Sequence, residues 1–122
     1  MRVAQHIAEQ QDIPALVTGE SVGQVASQTL QNINVISQAT SLPVLRPLIG
    51  MDKNEIITLA QQIGTFDLSI EPYQDPCSLH ARNPSTWAHI DAVLALERAV
   101  DIEAVLSETL NSHIVDIPIH SV

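Results

Sequence analysis

Short apolar runs alternate with helical patterns along this chain of 122 residues, and that alternation is what most constrains its fold. Residues 13–18 form an apolar run that stops at Gly19, which is typical of a strand buried on both faces. A second run, 42–49, carries Pro43 and Pro47 and therefore predicts a brief or edge-like strand. Helical patterns lie between and around the two runs. The sequence therefore indicates an α/β fold with a mostly parallel sheet.

The helical patterns have recognisable boundaries. Residues 1–11 carry apolar side chains at helical spacing from the start, with no capping residue before them. The spacing predicts a second helix over 22–38, with Ser21 as its candidate N-cap. A third helix is predicted to begin after Asp52 and to end near Gly64. The remaining predicted elements are two helices over 86–99 and 102–110 and a last short strand or docking arm over 113–119.

The number of strands is small for a complete domain. Only two to three strands are visible, whereas a doubly wound sheet usually has more. Together with the uncapped helix at residue 1, this predicts a fragment of a longer α/β domain. An ordinary frayed N-terminus is the alternative interpretation of the missing cap.

The composition excludes several classes of function. The 14 acidic residues outnumber the 5 basic ones, and the net charge of −9 repels phosphate backbones, so the chain alone is not expected to hold nucleic acid by electrostatics. A single cysteine, Cys77, excludes an internal disulfide. No apolar run approaches the ~18 residues of a membrane span, and no signal peptide pattern opens the sequence. We therefore expect a soluble cytoplasmic protein without a membrane partner.

The first candidate site lies where the strand over 13–18 gives way to the following helix. Its candidate binding residues are Gly19, Glu20, Ser21 and Gln24. Ligands of open α/β sheets bind outside the carboxyl ends of strands, close to helix N-termini. The alternative is a plain strand-to-helix turn that Ser21 caps.

The second candidate site follows the second strand. Arg46 and Lys53 are seven residues apart, and both could approach one phosphate or carboxylate. The alternative is that Lys53 pairs with Asp52 or Glu55 at a solvated helix start.

The third candidate is Cys77, which lies in the proline-rich segment 65–85, predicted to be irregular. His80 and Arg82 are close enough in sequence to favour a reactive thiolate, and an inert thiol is the alternative. The five histidines show no metal-ligand spacing, so no protein metal site is predicted.

Three segments together resemble one known family. They are GESVGQVASQTLQNI at 19–33, PVLRPLIGMDKNEII at 43–57 and PYQDPCSLHARNPST at 72–86. They are similar to the C-terminal part of the tRNA 4-thiouridine synthase family, whose members are also called ThiI or tRNA sulfurtransferases. The resemblance runs in order over about residues 1–110, and its first two motifs are long and specific.

The resemblance implies a fold and a reaction. The chain, residues 1–122, would be the C-terminal portion of a PP-loop ATPase domain, a nucleotide-hydrolase-like parallel sheet with flanking helices. Full-length members of the family bind tRNA through N-terminal domains and activate a uridine with ATP and Mg²⁺. Persulfide sulfur from a cysteine desulfurase then replaces the uridine oxygen to give 4-thiouridine. The family is also linked to the sulfur supply of the thiamine thiazole.

The resemblance also implies roles for the candidate residues. The first segment would lie near the nucleotide or the target uridine through Gly19, Glu20, Ser21 and Gln24. The second signature would contribute Arg46, Asp52 and Lys53, with Lys53 directed at phosphate. Cys77 occupies the place of a cysteine that takes part in sulfur transfer, although Pro76 stands where many members have a second cysteine.

Two departures from the family pattern limit what this chain is expected to do alone. The SGGxDS loop that cradles pyrophosphate and the tRNA-binding domains are absent from these residues. We therefore expect no tight ATP binding by this chain, no activity of the chain alone, and a homo-oligomer that covers an unfinished sheet. The alternatives are part of another PP-loop ATPase, or a non-catalytic dimerising interaction module.

Overall fold

The computed structural model describes residues 1–72 and 85–112. The segment 113–119, predicted as a strand or arm, lies outside the described residues. Helices and short strands alternate, which confirms the predicted α/β class. The order is α1 (Arg2–Gln10), β1 (Leu16–Val17), α2 (Leu30–Ser37), β2 (Val44–Leu45), α3 (Lys53–Gln62), α4 (Phe66–Ser69), α5 (Ile90–Glu97) and α6 (Ile102–Ser112).

The two strands form a parallel pair, as predicted. Leu16 is in register with Val44, and Val17 is in register with Leu45. Partners in register direct their side chains to the same face of a sheet. Leu16 and Val44 are half-buried, whereas Val17 is 68% exposed and Leu45 is 56% exposed. One face of the sheet is therefore covered and the other is largely exposed, whereas the run 13–18 predicted a strand buried on both faces.

Helix α3 has the predicted boundaries. The Asp52 carboxylate accepts from the backbone N–H groups of Asn54 and Glu55, and the Glu55 side chain accepts from the N–H of Asp52. This reciprocal pattern is a capping box. Beyond the helix, Gly64 adopts a φ of +75°, a backbone conformation that glycine adopts without steric cost.

The helix predicted over 22–38 is wrong in its first half, because α2 begins only at Leu30. Gly23 has a φ of +78°, which interrupts a right-handed helix. The hydroxyl of Thr29, rather than that of Ser21, caps α2 by accepting from the N–H of Asn32. Residues 22–29 form a loop of turns instead.

Two other predictions need smaller corrections. The predicted helix over 86–99 is shorter, since α5 covers Ile90–Glu97. The segment 65–85, predicted to be irregular, contains the short helix α4 directly after Thr65.

The buried core of the described residues is small. Its buried apolar side chains are Ala8 on α1 and Ile33 and Val35 on α2. Helix α1 packs against β1 and α6. A two-point hydrogen-bonded ion pair between Arg2 and Glu97, with N···O distances of 2.6 and 3.0 Å, joins α1 to α5. Among the helices described, none has the length and apolar character needed to cross a membrane.

Candidate functional site

The two predicted sites adjoin at the carboxyl ends of the parallel strands. The backbone N–H of Thr18 donates to the carbonyl of Leu45 at 3.0 Å, and this bond extends the β1–β2 ladder. Beyond the strands, the Ser21 hydroxyl donates to the carbonyl of Met51 at 2.6 Å. The loop after β1 is thus joined directly to the segment that leads into α3. This end of an open α/β sheet is where such folds bind ligands.

The loop after β1 and the segment between β2 and α3 meet here, and we call this place the junction. An ion pair crosses it. The Nε atom of Arg46 donates to Oε2 of Glu20 at 2.7 Å, and only 14% and 16% of the two side chains are exposed. The Thr18 hydroxyl donates to the same oxygen at 2.7 Å. The guanidinium also donates to the Ser37 hydroxyl on α2 at 2.8 Å. Arg46 therefore joins β2, the loop after β1 and helix α2 at one point.

The surroundings of Glu20 favour its charged form. Partial burial acts to raise the pKa of the Glu20 carboxyl, but the hydrogen bonds from Thr18 and Arg46, together with the positive charge of Arg46, outweigh it. The net result is a pKa below the ordinary value. Glu20 therefore remains a carboxylate that fixes the guanidinium in place.

Three consecutive backbone donors in the loop after β1 bond within the protein. The N–H of Ser21 donates to the side-chain oxygen of Gln28, and the N–H of Gly23 donates to the carbonyl of the same residue. The N–H of Val22 donates to the carbonyl of Ile49 at 3.1 Å. Three consecutive N–H groups are thus satisfied within the protein. These three N–H groups are therefore not available to bind a phosphate.

The start of α3 is closed in a similar way. The Asp52 carboxylate occupies the N–H groups of Asn54 and Glu55 that would otherwise attract an anion. Lys53 is exposed and, between residues that the structure describes, makes no ion pair with Asp52 or Glu55. Lys53 is therefore a solvated charge beside the junction.

The predicted site residues separate into groups. Glu20, Ser21 and Arg46 are brought together by the bonds described above, whereas Gly19 and Gln24 are exposed on the loop. Asp52 caps α3 and Lys53 lies in solvent. Cys77 lies outside the described residues, as do His80 and Arg82.

Sequence reasoning missed four polar residues that build this junction: Thr18, Gln28, Asn32 and Ser37. Thr18 and Gln28 bond to Glu20 and Ser21 within the loop after β1, whereas Asn32 and Ser37 bond to residues that are distant in the sequence. Three of them, Gln28, Asn32 and Ser37, lie within the helix predicted over 22–38, where they match ordinary polar positions of a helix. The one local signal was Thr29, a good N-cap residue three positions before Asn32.

The geometry defines a class of protein: an α/β domain, or part of one, with a candidate ligand site at the carboxyl end of a parallel sheet. A family model described as "Thiamine biosynthesis protein (ThiI)" matches residues 1–102. The chain therefore belongs to the ThiI family.

Curated relatives carry the name "Probable tRNA sulfurtransferase". The protein from Finegoldia magna is 49% identical over 113 residues, which are 92% of this chain and 29% of the relative. The protein from Coxiella burnetii is 50% identical over 111 residues, which are 90% of this chain and 28% of the relative. The chain thus spans under a third of the length of these relatives.

A solved structure described as "Crystal structure of a 4-thiouridine synthetase - RNA complex with bound ATP" has the same fold over the shared region. Its TM-score is 0.83 at 46% sequence identity, and the match covers 91% of this chain and 29% of that chain. These findings confirm the family that the three sequence segments indicated.

Proposed function

We propose that residues 1–122 are the C-terminal part of the PP-loop catalytic domain of an ATP-dependent tRNA sulfurtransferase. The enzyme would adenylate a uridine of tRNA and replace its oxygen with sulfur to give 4-thiouridine. A link to the sulfur supply of thiamine belongs to the same proposal. The supporting observation is that the two signature segments adjoin at the carboxyl ends of β1 and β2.

The proposed reaction has two stages. The uridine oxygen attacks the α-phosphate of ATP, and pyrophosphate leaves. Sulfur from a persulfide, supplied by a cysteine desulfurase, then displaces AMP together with that oxygen. A thiol then attacks the carrier sulfur of the former persulfide, so that its S–S bond breaks, a new disulfide forms, and the transferred sulfur stays on the uridine as the thiocarbonyl. Cys77 is the thiol of this chain that we assign to the sulfur-transfer stage.

The described residues fit a supporting wall of a nucleotide site better than its phosphate cradle. The N–H groups of Ser21, Val22 and Gly23 and the start of α3 are already bonded within the protein. In this proposal Glu20 and Arg46 fix the shape of the wall through their ion pair, and Lys53 supplies a mobile positive charge for phosphate.

The triphosphate cradle would come from outside these residues, so this chain alone is proposed not to hold ATP tightly or to be active. Mg²⁺ would arrive with ATP, since in the described ranges no three His, Cys, Asp or Glu side chains are grouped for a metal.

The decisive experiment uses a full-length sulfurtransferase that contains this sequence. Cys77→Ser is compared with the neighbouring Ser78→Ala as a matched control. We expect Cys77→Ser to abolish 4-thiouridine formation in tRNA because the transferring thiol is lost. ATP-dependent release of pyrophosphate and tRNA binding should persist in both variants.

The outcomes separate the alternatives. Retained thiolation in Cys77→Ser removes this thiol from the mechanism. ATP turnover without any thiolated tRNA from the wild-type protein supports a different PP-loop ATPase. If the wild-type protein shows neither ATP turnover nor tRNA binding, that result supports a non-catalytic module. Membership of the family argues against both alternatives.

A further inference from the structure

Asn32 is a buried polar residue in the first turn of α2, and only 7% of it is exposed. Its side-chain nitrogen donates to the carbonyl of Ser27 at 2.9 Å and to the carbonyl of Ser85 at 2.7 Å. Its side-chain oxygen accepts from the backbone N–H of Ala88 at 2.8 Å. Both donor hydrogens of the carboxamide are therefore used, and Asn32 ties the loop after β1 to residues 85–88.

Gln28 lies between two residues of the loop that are fastened in this way. On one side, the carbonyl of Ser27 is held by Asn32. On the other side, the Thr29 hydroxyl accepts from the N–H of Asn32 and donates to the carbonyl of Thr86 at 2.9 Å. The position of Gln28 is therefore set by the start of α2 and by the distant segment that Asn32 holds.

Gln28 in turn holds the first residues of the loop. Its side-chain oxygen accepts from the N–H of Ser21 at 3.1 Å, and its carbonyl accepts from the N–H of Gly23 at 3.0 Å. Ser21 is 2% exposed, and its hydroxyl bonds to Met51 across the junction. A continuous series of bonds therefore connects Asn32 to the junction, where the proposed function places the wall of a nucleotide site.

We propose that Asn32 is a positioning residue for nucleotide binding; this rests on the proposed function. The two bonds that its side chain donates order the loop after β1 before ATP arrives, so that ATP does not have to order the loop itself. A site ordered in advance binds more tightly, because the apparent dissociation constant rises as the binding-competent fraction falls. Asn32 should therefore affect the affinity for ATP rather than the chemical step.

The variant Asn32→Asp tests this in a full-length protein that contains the sequence. Aspartate has nearly the same shape and keeps an oxygen for the N–H of Ala88, but it has no proton to donate to the carbonyls of Ser27 and Ser85. The KM for ATP and the kcat are measured from pyrophosphate release at saturating tRNA. Urea unfolding of each variant measures its stability.

Two variants of the same helix are matched controls. Asn34→Asp makes the same chemical change at an exposed position. Gln31→Ala removes a bond of 3.1 Å to the carbonyl of Ala88, so it weakens the hold on residues 85–88 without removing a described bond to the loop after β1.

We expect Asn32→Asp to raise the KM for ATP by about tenfold or more while the kcat changes by less than about threefold. The KM for tRNA should not change, and both controls should match the wild type. A variant that is only less stable would lose kcat, because less of the protein is folded, and would keep the KM of the wild type. That result for Asn32→Asp would overturn the inference.

A second variant separates the lost bonds from the introduced charge. Asn32→Ala removes the same two donors without adding a carboxylate, so its KM for ATP should rise as well. If neither variant folds, Asn32 serves stability alone and the inference is overturned. An unchanged KM in Asn32→Asp overturns the inference and leaves the proposed function intact, whereas a wild type that releases no pyrophosphate from ATP overturns the proposed function and this inference with it.

Discussion

Replacing Arg46 with methionine tests whether its ion pair with Glu20 holds the loop after β1 against the end of β2. Methionine keeps most of the apolar volume of the side chain but loses the donors to Glu20 and to Ser37. The Glu20 carboxylate then remains mostly buried with Thr18 as its one described hydrogen-bond donor. We expect a lower free energy of unfolding for this variant of the 122-residue chain.

The size of the loss follows from the exposure of the pair. Exposed ion pairs contribute about 0.2–1 kcal/mol, whereas removing one partner of a buried pair costs about 3–5 kcal/mol. The side chains of Arg46 and Glu20 are 14% and 16% exposed, so the pair lies between these limits and nearer the second. Arg46→Met should therefore lower the free energy of unfolding by about 2–3 kcal/mol.

Urea unfolding followed by circular dichroism at pH 7 measures the loss. Arg98→Met is the matched control, because Arg98 is exposed at the end of α5, and it should change stability by less than about 0.5 kcal/mol. The double variant Glu20→Met/Arg46→Met completes the cycle. Removing both charges should cost less than the sum of the single losses, with a coupling of at least about 1 kcal/mol.

The pH dependence gives a second check with a defined sign. The pKa of Glu20 is lower in the folded chain than its ordinary value of 4.5, so the folded state binds fewer protons than the unfolded state near that pH. The stability from the pair is fully present above pH 4.5 and is lost as the pH falls through the folded pKa. The difference between the wild type and Glu20→Gln should therefore be constant from neutral pH to about 5 and shrink below it. A coupling of zero, or a difference that does not shrink in acid, would refute the reasoning.

Two further predictions concern the helix cap and the open sheet face. Asp52→Ala removes the acceptor of two N–H groups of α3 and should cost about 1 kcal/mol in urea unfolding, whereas Asp91→Ala, which removes no described cap bond, should cost less than about 0.5 kcal/mol. Light scattering of the chain at tens of micromolar should give a mass above 13.3 kDa, and Val17→Lys with Leu45→Lys should return it to that value; a monomeric wild type would contradict this.

Prediction from sequence succeeded where local chemistry decides the structure. The start and end of α3 depend on contacts within a few residues, namely the Asp52–Glu55 capping box and the glycine at Gly64. The parallel pairing was also predictable, because short apolar runs separated by a helix require a crossover connection. The family followed from long motifs in the correct order, and the comparisons confirm it.

Prediction failed where distant residues decide the structure. Residues 22–38 have apolar side chains at helical spacing, which predicted one long helix. In the structure, however, Val22 bonds to Ile49 and Ser21 bonds to Met51, so the segment between β2 and α3 holds this loop in place. The same holds for Arg46, whose partner Glu20 lies 26 residues away. From the sequence, Arg46 and Lys53 could both approach one phosphate or carboxylate of a ligand. In the structure, Arg46 is instead paired with Glu20 of the protein itself.

The exposed face of the sheet is more apolar than the contacts between the described residues require. The apolar run over 13–18 predicts a strand covered on both faces, yet Val17 and its register partner Leu45 remain largely exposed. A two-stranded sheet is marginal in water without further strands or a second layer. The apolar pattern therefore indicates strands that have more apolar neighbours than the described residues provide. Association with another copy is one way for the chain alone to cover that face, so the expected dimer tests the fold as well as the assembly.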